Sequence, residues 1–248
     1  MTTTTPSTTS PGFFKQLVAL DRTLHADLKL KPVALTAAAG LPLAPLVSAE
    51  FFNASREYPI VFVRDARQML MPVAVVGTPD GRNLFIDANG VWQANYIPAY
   101  VRNYPFALAR TEPETVTVCI DEGCVELTTH TGEPLFAAGE PTPLLQEMID
   151  RLHGYEDHAQ FTLGFAQRLD AAGLLIDADA RADLQGQSVS VNGFQIVDEA
   201  RLRALSEATV TQWFSSSELG LIYAHLISLG NFLQLLQRQS RAVDAMPK

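Results

Sequence analysis

With 248 residues, 47% of them apolar and 18% charged, the chain can bury the core of one large domain or two small ones, and it needs no disulfide or metal to fold. Its formal net charge is −9, and residues 111–160 hold eleven acidic residues against one basic residue, Arg151. Such a solvated acidic face repels phosphate backbones, so the charge pattern argues against nucleic acid as a partner.

The opening stretch MTTTTPSTTSPG has no basic n-region and no apolar h-region. It does not read as a secretory signal, and a cytoplasmic location is expected. Thr, Ser and Pro without apolar anchors predict a disordered lead-in over 1–12. Gly12 to Ala26 reads as a short amphipathic segment through Phe13, Phe14, Leu17, Val18 and Leu20. Pro32 to Val47 is apolar, but its prolines and Gly40 predict an irregular, extended course. Tyr58–Arg64 and Leu70–Gly77, five residues apart, predict a hairpin, with Pro72 placing the second strand at an edge or bulge. Asn83–Asp87 and Phe106–Ala109 are short strand candidates. Thr115–Ile120 and Cys124–Thr128 alternate about Asp121-Glu122-Gly123, which predicts a tight hairpin with Cys119 and Cys124 on adjacent strands. Two cysteines at this spacing suit reduced thiols better than a metal site or a disulfide framework.

Composition shifts at 139–143. Thr142 is a good N-cap with Pro143 at the first helical position, and helical spacing runs from Leu145 to Leu169, with Gly154 as a possible break and Gly173 as the stop. Asn192-Gly193 within Val189–Val197 is a two-residue hairpin signal. Helices resume at Asp198, and Ser215-x-x-Glu218 reads as a capping box opening a last helix to about Arg238. The apolar stretch Leu219–Leu236 contains His225, Ser228, Asn231 and Gln234, which suits a core helix better than a membrane span. The fold expected is α+β: an antiparallel sheet over 13–138, open or barrel-like, with a mainly helical half over 139–241 packed against it. A hairpin near 189–197 returns toward the sheet, and 242–248 forms a tail.

The densest chemistry lies in Arg82–Phe106, where Phe85, Trp92, Tyr96, Tyr100, Tyr104 and Phe106 alternate with polar and turn residues at neither the helical nor the strand period. Glu57–Phe62 (EYPIVF), Asn83–Phe85 with Gly90-x-Trp92, Tyr96–Phe106 (YIPAYVRNYPF) and Leu221–Leu229 (LIYAHLISL) together resemble the bacterial SapC family from about Leu43 to Leu236. The likeness departs at Asn103, where the family pattern carries a second arginine. The resemblance implies an accessory protein of an envelope, surface-layer or nutrient-uptake gene system, and it carries over no catalytic residue.

Read from the residues, Trp92, Tyr96, Tyr100, Arg102 and Tyr104 are the candidate ligand-binding set, lining one concavity where the two halves meet. Arg102 can stack on a ring or hold a ligand carboxylate; its bland alternative is a structural pair with Asp87 or with backbone carbonyls. The bland reading of Trp92 and Tyr96 is as core anchors. His153-x4-His158, with Glu156, Asp157 and His130, is the best metal-like group. On one helix the two histidines diverge by roughly 140°, so no metal site and no cofactor is expected. His225 reads as a hydrogen-bonded core histidine rather than a general base. No phosphate loop, nucleophile elbow or H-E-x-x-H motif appears in the sequence. Two functions stay open: a binding or accessory protein for a small molecule, peptide or protein partner, and an enzyme using Arg102 and a tyrosine hydroxyl in the same pocket.

Overall fold

The structure is a computed structural model that describes residues 13–77, 81–112, 115–184 and 187–244. The expected lead-in over 1–12 and the last four residues of the expected tail lie outside these. In chain order the strands are β1 (Leu17–Ala19), β2 (Lys29–Leu30), β3 (Leu43–Pro45), β4 (Ile60–Arg64), β5 (Leu70–Val75), β6 (Phe106–Glu112), β7 (Thr115–Asp121), β8 (Leu127–Thr128), β9 (Glu133–Pro134), β10 (Phe136–Ala137), β11 (Glu140–Pro141), β12 (Leu175–Leu184) and β13 (Gln187–Val197). The helices are α1 (Phe51–Ala54), α2 (Ala99–Arg102), α3 (Pro143–Ala171), α4 (Glu199–Arg203), α5 (Glu207–Ser215), α6 (Glu218–Ser228) and α7 (Phe232–Asp244). The fold is α+β with antiparallel pairing. Its main sheet has the order β12-β13-β4-β5-β3, a second has β1-β7-β6, and two smaller ones are β8-β2-β9 and β10-β11. Among the described residues no sheet closes into a barrel.

The expected hairpin β4/β5 forms, with Ile60 opposite Ala74 and Arg64 opposite Leu70. β5 lies inside the sheet, not at its edge, and Pro72 is tolerated there because β3 pairs only as far as Val73. Beyond that point Leu46 N donates to Pro72 O, so the proline nitrogen, on the same side of the strand, faces the frayed end of the neighbour. Asn83–Asp87 forms only isolated bridges, Gly77 with Asn83 and Ile86 with Trp92. The segment before β3, expected to be irregular, winds into a 3-10 helix at Leu35–Gly40. Leu17–Ala19 is a strand rather than part of a longer amphipathic segment, because the free edge of β7 accepts it: Leu17 pairs with Asp121 and Ala19 with Cys119.

The returning hairpin is longer than the local signal indicated. Asn192-Gly193 is not its turn. Ala178 faces Phe194 and Ala180 faces Val191, so β13 carries one extra residue here, and Gly193 sits at φ 80°. The glycine permits a bulge rather than a reversal. β13 then joins the main sheet through Gln195 opposite Phe62.

The two cysteines are not on paired strands. Cys119 is in β7, while Cys124 lies beyond it in a turn, and β8 pairs with β2 instead. The buried Asp121 carboxylate decides this. It accepts from Lys15 N, Gln16 N and Gly123 N at 3.0, 2.7 and 3.0 Å, pinning β1 beside β7 and turning the chain away before a second strand can pair. Both thiols are free and buried.

α3 is continuous over 29 residues, about 43 Å at 1.5 Å per residue. Thr142 Oγ1 accepts from Leu145 N as its N-cap. Gly154 does not break it, because packing on both sides outweighs one residue's poor helix propensity. Gly173, at φ 65°, follows the end of α3 and turns the chain out of it. The two ends of α3 enter different cores. Leu145, Met148 and Leu152 pack with Phe106, Ile120, Leu135 and Phe136. Phe165, Ala166 and Leu169 pack in the larger core with Phe51 and Phe62. The turns between, around Tyr155 and Ala159, span the gap.

The last helix is three pieces. Ser215 ends α5, and Ser217, in the left-handed region at φ 66°, precedes α6 without a side-chain cap. Glu218 is therefore not a capping-box acid; it is 1% exposed and bound by Arg168 Nε at 2.6 Å and Ser216 Oγ at 2.8 Å. A 3-10 turn at Leu229–Asn231 separates α6 from α7. Among the described residues, Glu218–Arg241 is the stretch long and apolar enough by length and composition to cross a membrane. Its Leu221, Ile222, Ala224, His225, Leu235 and Leu236 are buried in the protein core.

Candidate functional site

The conspicuous sequence motifs converge on the start of β4. Tyr58, fully buried, donates to Tyr96 O and accepts from Trp92 Nε1 at 2.8 Å. Phe85 stacks on Trp92, with centroids 6.3 Å apart, and the Arg238 guanidinium covers Phe85 at 4.3 Å. From α6, His225 Nδ1–H donates to Ile60 O at 2.7 Å, and its Nε2 accepts from Val197 N at 3.1 Å. Ser228 Oγ accepts from Ile60 N, and Asn231 Nδ2 donates to Ser55 O and Tyr58 O. These residues form a frame tied together by side-chain hydrogen bonds to the backbone around β4. Burial holds His225 down at about 4, so it is neutral, and both ring nitrogens are engaged by backbone.

The frame fixes α2 and the residues after it. Glu50, 3% exposed, accepts from Ala99 N at 2.6 Å, Tyr96 Oη–H at 2.8 Å and Val47 N at 3.0 Å. Burial pushes its carboxyl above the ordinary range against the pull of these donors and of the Arg102 charge. Arg102 is exposed and lies over the Tyr96 ring at 5.5 Å. Asp87, its conceivable partner, instead accepts from Asn89 N and Val91 N in its own turn. The Tyr104–Pro105 peptide is cis, and Tyr104 packs against Phe13 and Phe14 at 5.2 and 5.8 Å.

Between the middle of α3, the β3–β5 side of the main sheet and the residues from α2 into β6 lies a half-open cavity of about 240 Å³. From α3 it is walled by Leu152, Tyr155, Ala159, Thr162 and Leu163; from the sheet side by Leu46, Val47, Met71 and Pro72; and from the signature by Tyr100, Asn103 and Phe106, with Phe14 at one end. It occupies the stretch where α3 passes from one core to the other, and the small Ala159 leaves room there. Thr162 is tied down, donating to His158 O and accepting from Ser48 N. Glu156 is held by Arg110 at 2.5 Å. Burial drives the Tyr155 hydroxyl well above its usual value, and the Glu50 carboxyl and Tyr100 add to this.

Of the five residues singled out in the sequence, the structure places only Tyr100 on the wall of this cavity. Trp92 belongs to the Tyr58 frame, Tyr96 and Arg102 stack beside Glu50, and Tyr104 packs on the N-terminal phenylalanines. Tyr155 and Glu50 carry no expectation from the sequence, and Asn103 enters it only as the departure from the family pattern, not as a binding residue. Glu50 had a signal, as the lone acid in the apolar run Leu41–Phe52. Asn103 is the one carboxamide in Tyr96–Phe106. Tyr155 had none, because its role depends on where α3 crosses the gap.

The SapC family model matches the chain over residues 20–235. The chain belongs to the SapC family. No curated protein and no solved structure matches it. Within this SapC-family chain the matched span contains the Tyr58 frame except Arg238, and the cavity wall except Phe14.

Among the described residues no group of three or more His, Cys, Asp or Glu side chains lies together to hold a metal ion. His130, His153 and His158 are exposed. Burial raises the Cys119 thiol, and pushes Cys124 up to about 11, so both are protonated at neutral pH and are poor nucleophiles.

Proposed function

We propose that this SapC-family chain is a non-catalytic binding protein that holds a small apolar ligand in the cavity between α3 and the sheet, as an accessory of an envelope, surface-layer or nutrient-uptake system. The cavity carries the reading. It is a half-open, mainly apolar cleft of about 240 Å³ lying between two well-filled cores. Ligand sites are concave and mostly apolar with a few polar groups, and this wall has that composition. The groups that general acid–base or nucleophilic chemistry would draw on are otherwise engaged. His225 bonds backbone through both nitrogens, Glu50 accepts three hydrogen bonds, and the thiols are protonated. An enzyme reading would need Arg102 to face the pocket, and Arg102 is outside its wall.

Thermal-shift titration with toluene tests this. The wild-type chain is expected to show a saturable rise in Tm, corresponding to about 2.7 kcal/mol at 100 times Kd. Ala159→Phe, which fills the cavity from α3, should keep its circular dichroism spectrum and lose the shift. A wild-type protein indifferent to toluene, or an equal shift in the variant, removes the basis for the reading.

A further inference from the structure

Among the described residues, Asn103 on the cavity wall presents a buried polar atom with no hydrogen-bond partner. Asn103 is 4% exposed, and its side-chain Oδ1 is buried without a hydrogen-bond partner. Its backbone accounts for its place in the fold. Asn103 N donates to Ala99 O, closing α2, and Asn103 O accepts from Phe106 N at 2.7 Å. The carboxamide oxygen therefore adds no hydrogen bond to those its backbone already makes. A buried unpaired acceptor is unfavourable, and native proteins keep few of them. This one sits on the wall of the cavity, among Tyr100, Phe106 and Leu152.

We propose that the cavity takes a neutral, mostly apolar ligand carrying one N–H or O–H group, which donates to Asn103 Oδ1. This rests on the ligand-binding reading above and deepens it. Three observations set the ligand class. The wall holds no Lys, Arg or His, and it includes Glu156. A carboxylate or phosphate would enter beside Glu156, whose partner Arg110 is already committed to it, and burying an unpaired charge is strongly unfavourable. The apolar walls select a hydrocarbon body rather than a sugar or a nucleotide. The volume sets the scale: an engineered apolar cavity of about 150 Å³ takes benzene, so about 240 Å³ admits a larger body, of the size of a fused bicyclic aromatic. The oxygen of Asn103 is an acceptor only, so the ligand supplies the hydrogen.

Indole and 1-methylindole separate these elements, because methylation removes the N–H and leaves the aromatic body. Calorimetric titration of the full-length wild-type protein should give indole about tenfold tighter binding than 1-methylindole, or about 1.4 kcal/mol. Asn103→Leu should bind the two alike, through loss of indole affinity. Its ligand-free Tm should be no lower than wild type, since an unpaired acceptor has been replaced by an apolar group of similar shape. Equal binding of the two probes by wild type overturns the Asn103 assignment and leaves the apolar-ligand reading standing. The wild-type comparison does not depend on any variant folding. A large drop in Tm for Asn103→Leu marks the side chain as structural and also overturns the assignment. If neither probe binds and toluene gives no shift, the ligand-binding reading falls as well.

Discussion

Acidification from pH 6.5 to about 4 is expected to remove about 3 kcal/mol of stability through His225 alone. In the fold its pKa is depressed from 6.5 to about 4, chiefly by burial, while the unfolded chain takes up the proton near 6.5. Between those values the unfolded state binds more protons, so the contribution is fully present above 6.5 and is lost as pH falls toward 4. The proton has nowhere to go in the native state: Nδ1–H already donates to Ile60 O, and Nε2 accepts from Val197 N. His225→Leu leaves both of those buried backbone groups without partners and should destabilise the fold by about 2–5 kcal/mol at pH 7. It should also flatten the acid slope relative to wild type. Urea unfolding at pH 7, 5.5 and 4.5 on both proteins reads the difference. Parallel pH dependences would show that His225 does not hold this neutral bridge.

The second large effect is at Glu218. Its carboxylate is buried at the start of α6 and bound by Arg168 from α3, whose own side chain is 43% exposed. Arg168→Ala leaves the acid with Ser216 Oγ as its remaining side-chain donor, and should cost about 2–3 kcal/mol, less than for a fully buried pair because water reaches the arginine. The double variant Arg168→Ala/Glu218→Leu should recover much of that loss, since no buried charge is left unpaired. Denaturant unfolding of the two single variants and the double supplies the cycle. A change within about 0.5 kcal/mol for Arg168→Ala would place the pair among ordinary surface salt bridges.

The parts of this fold that local chemistry decides were legible in the sequence. Thr142 with Pro143 announced the start of α3, Gly173 its end, and the two apolar runs about 65–69 announced β4/β5. The SapC family was legible because its motifs combine aromatics, prolines and a histidine in a fixed order. The structure shows why those residues go together: Tyr58, Trp92, Phe85, Ile60 and His225 meet in one frame. The signals that misled are those with two local solutions. Asn-Gly serves a bulge as well as a hairpin turn, and only the length of β12 opposite β13 separates the two. Ser215-x-x-Glu218 fits a capping box, but Arg168, fifty residues earlier, claims the glutamate. Asp121-Glu122-Gly123 looked like a hairpin turn, yet the Asp121 carboxylate is committed to the backbone of Lys15 and Gln16. The candidate site was the least legible feature. Its cavity exists because one long helix crosses between two cores, which is a tertiary fact. Of the crowded aromatic run, only Tyr100, Asn103 and Phe106 reach it.

Crystals of the wild-type protein under xenon pressure test the cavity most directly, since xenon settles in apolar cavities and is located by its electron density. The account predicts one ordered xenon atom among Phe14, Leu46, Met71, Phe106, Leu152 and Leu163. The void found closed by repacked side chains, or xenon bound elsewhere and not there, would contradict it.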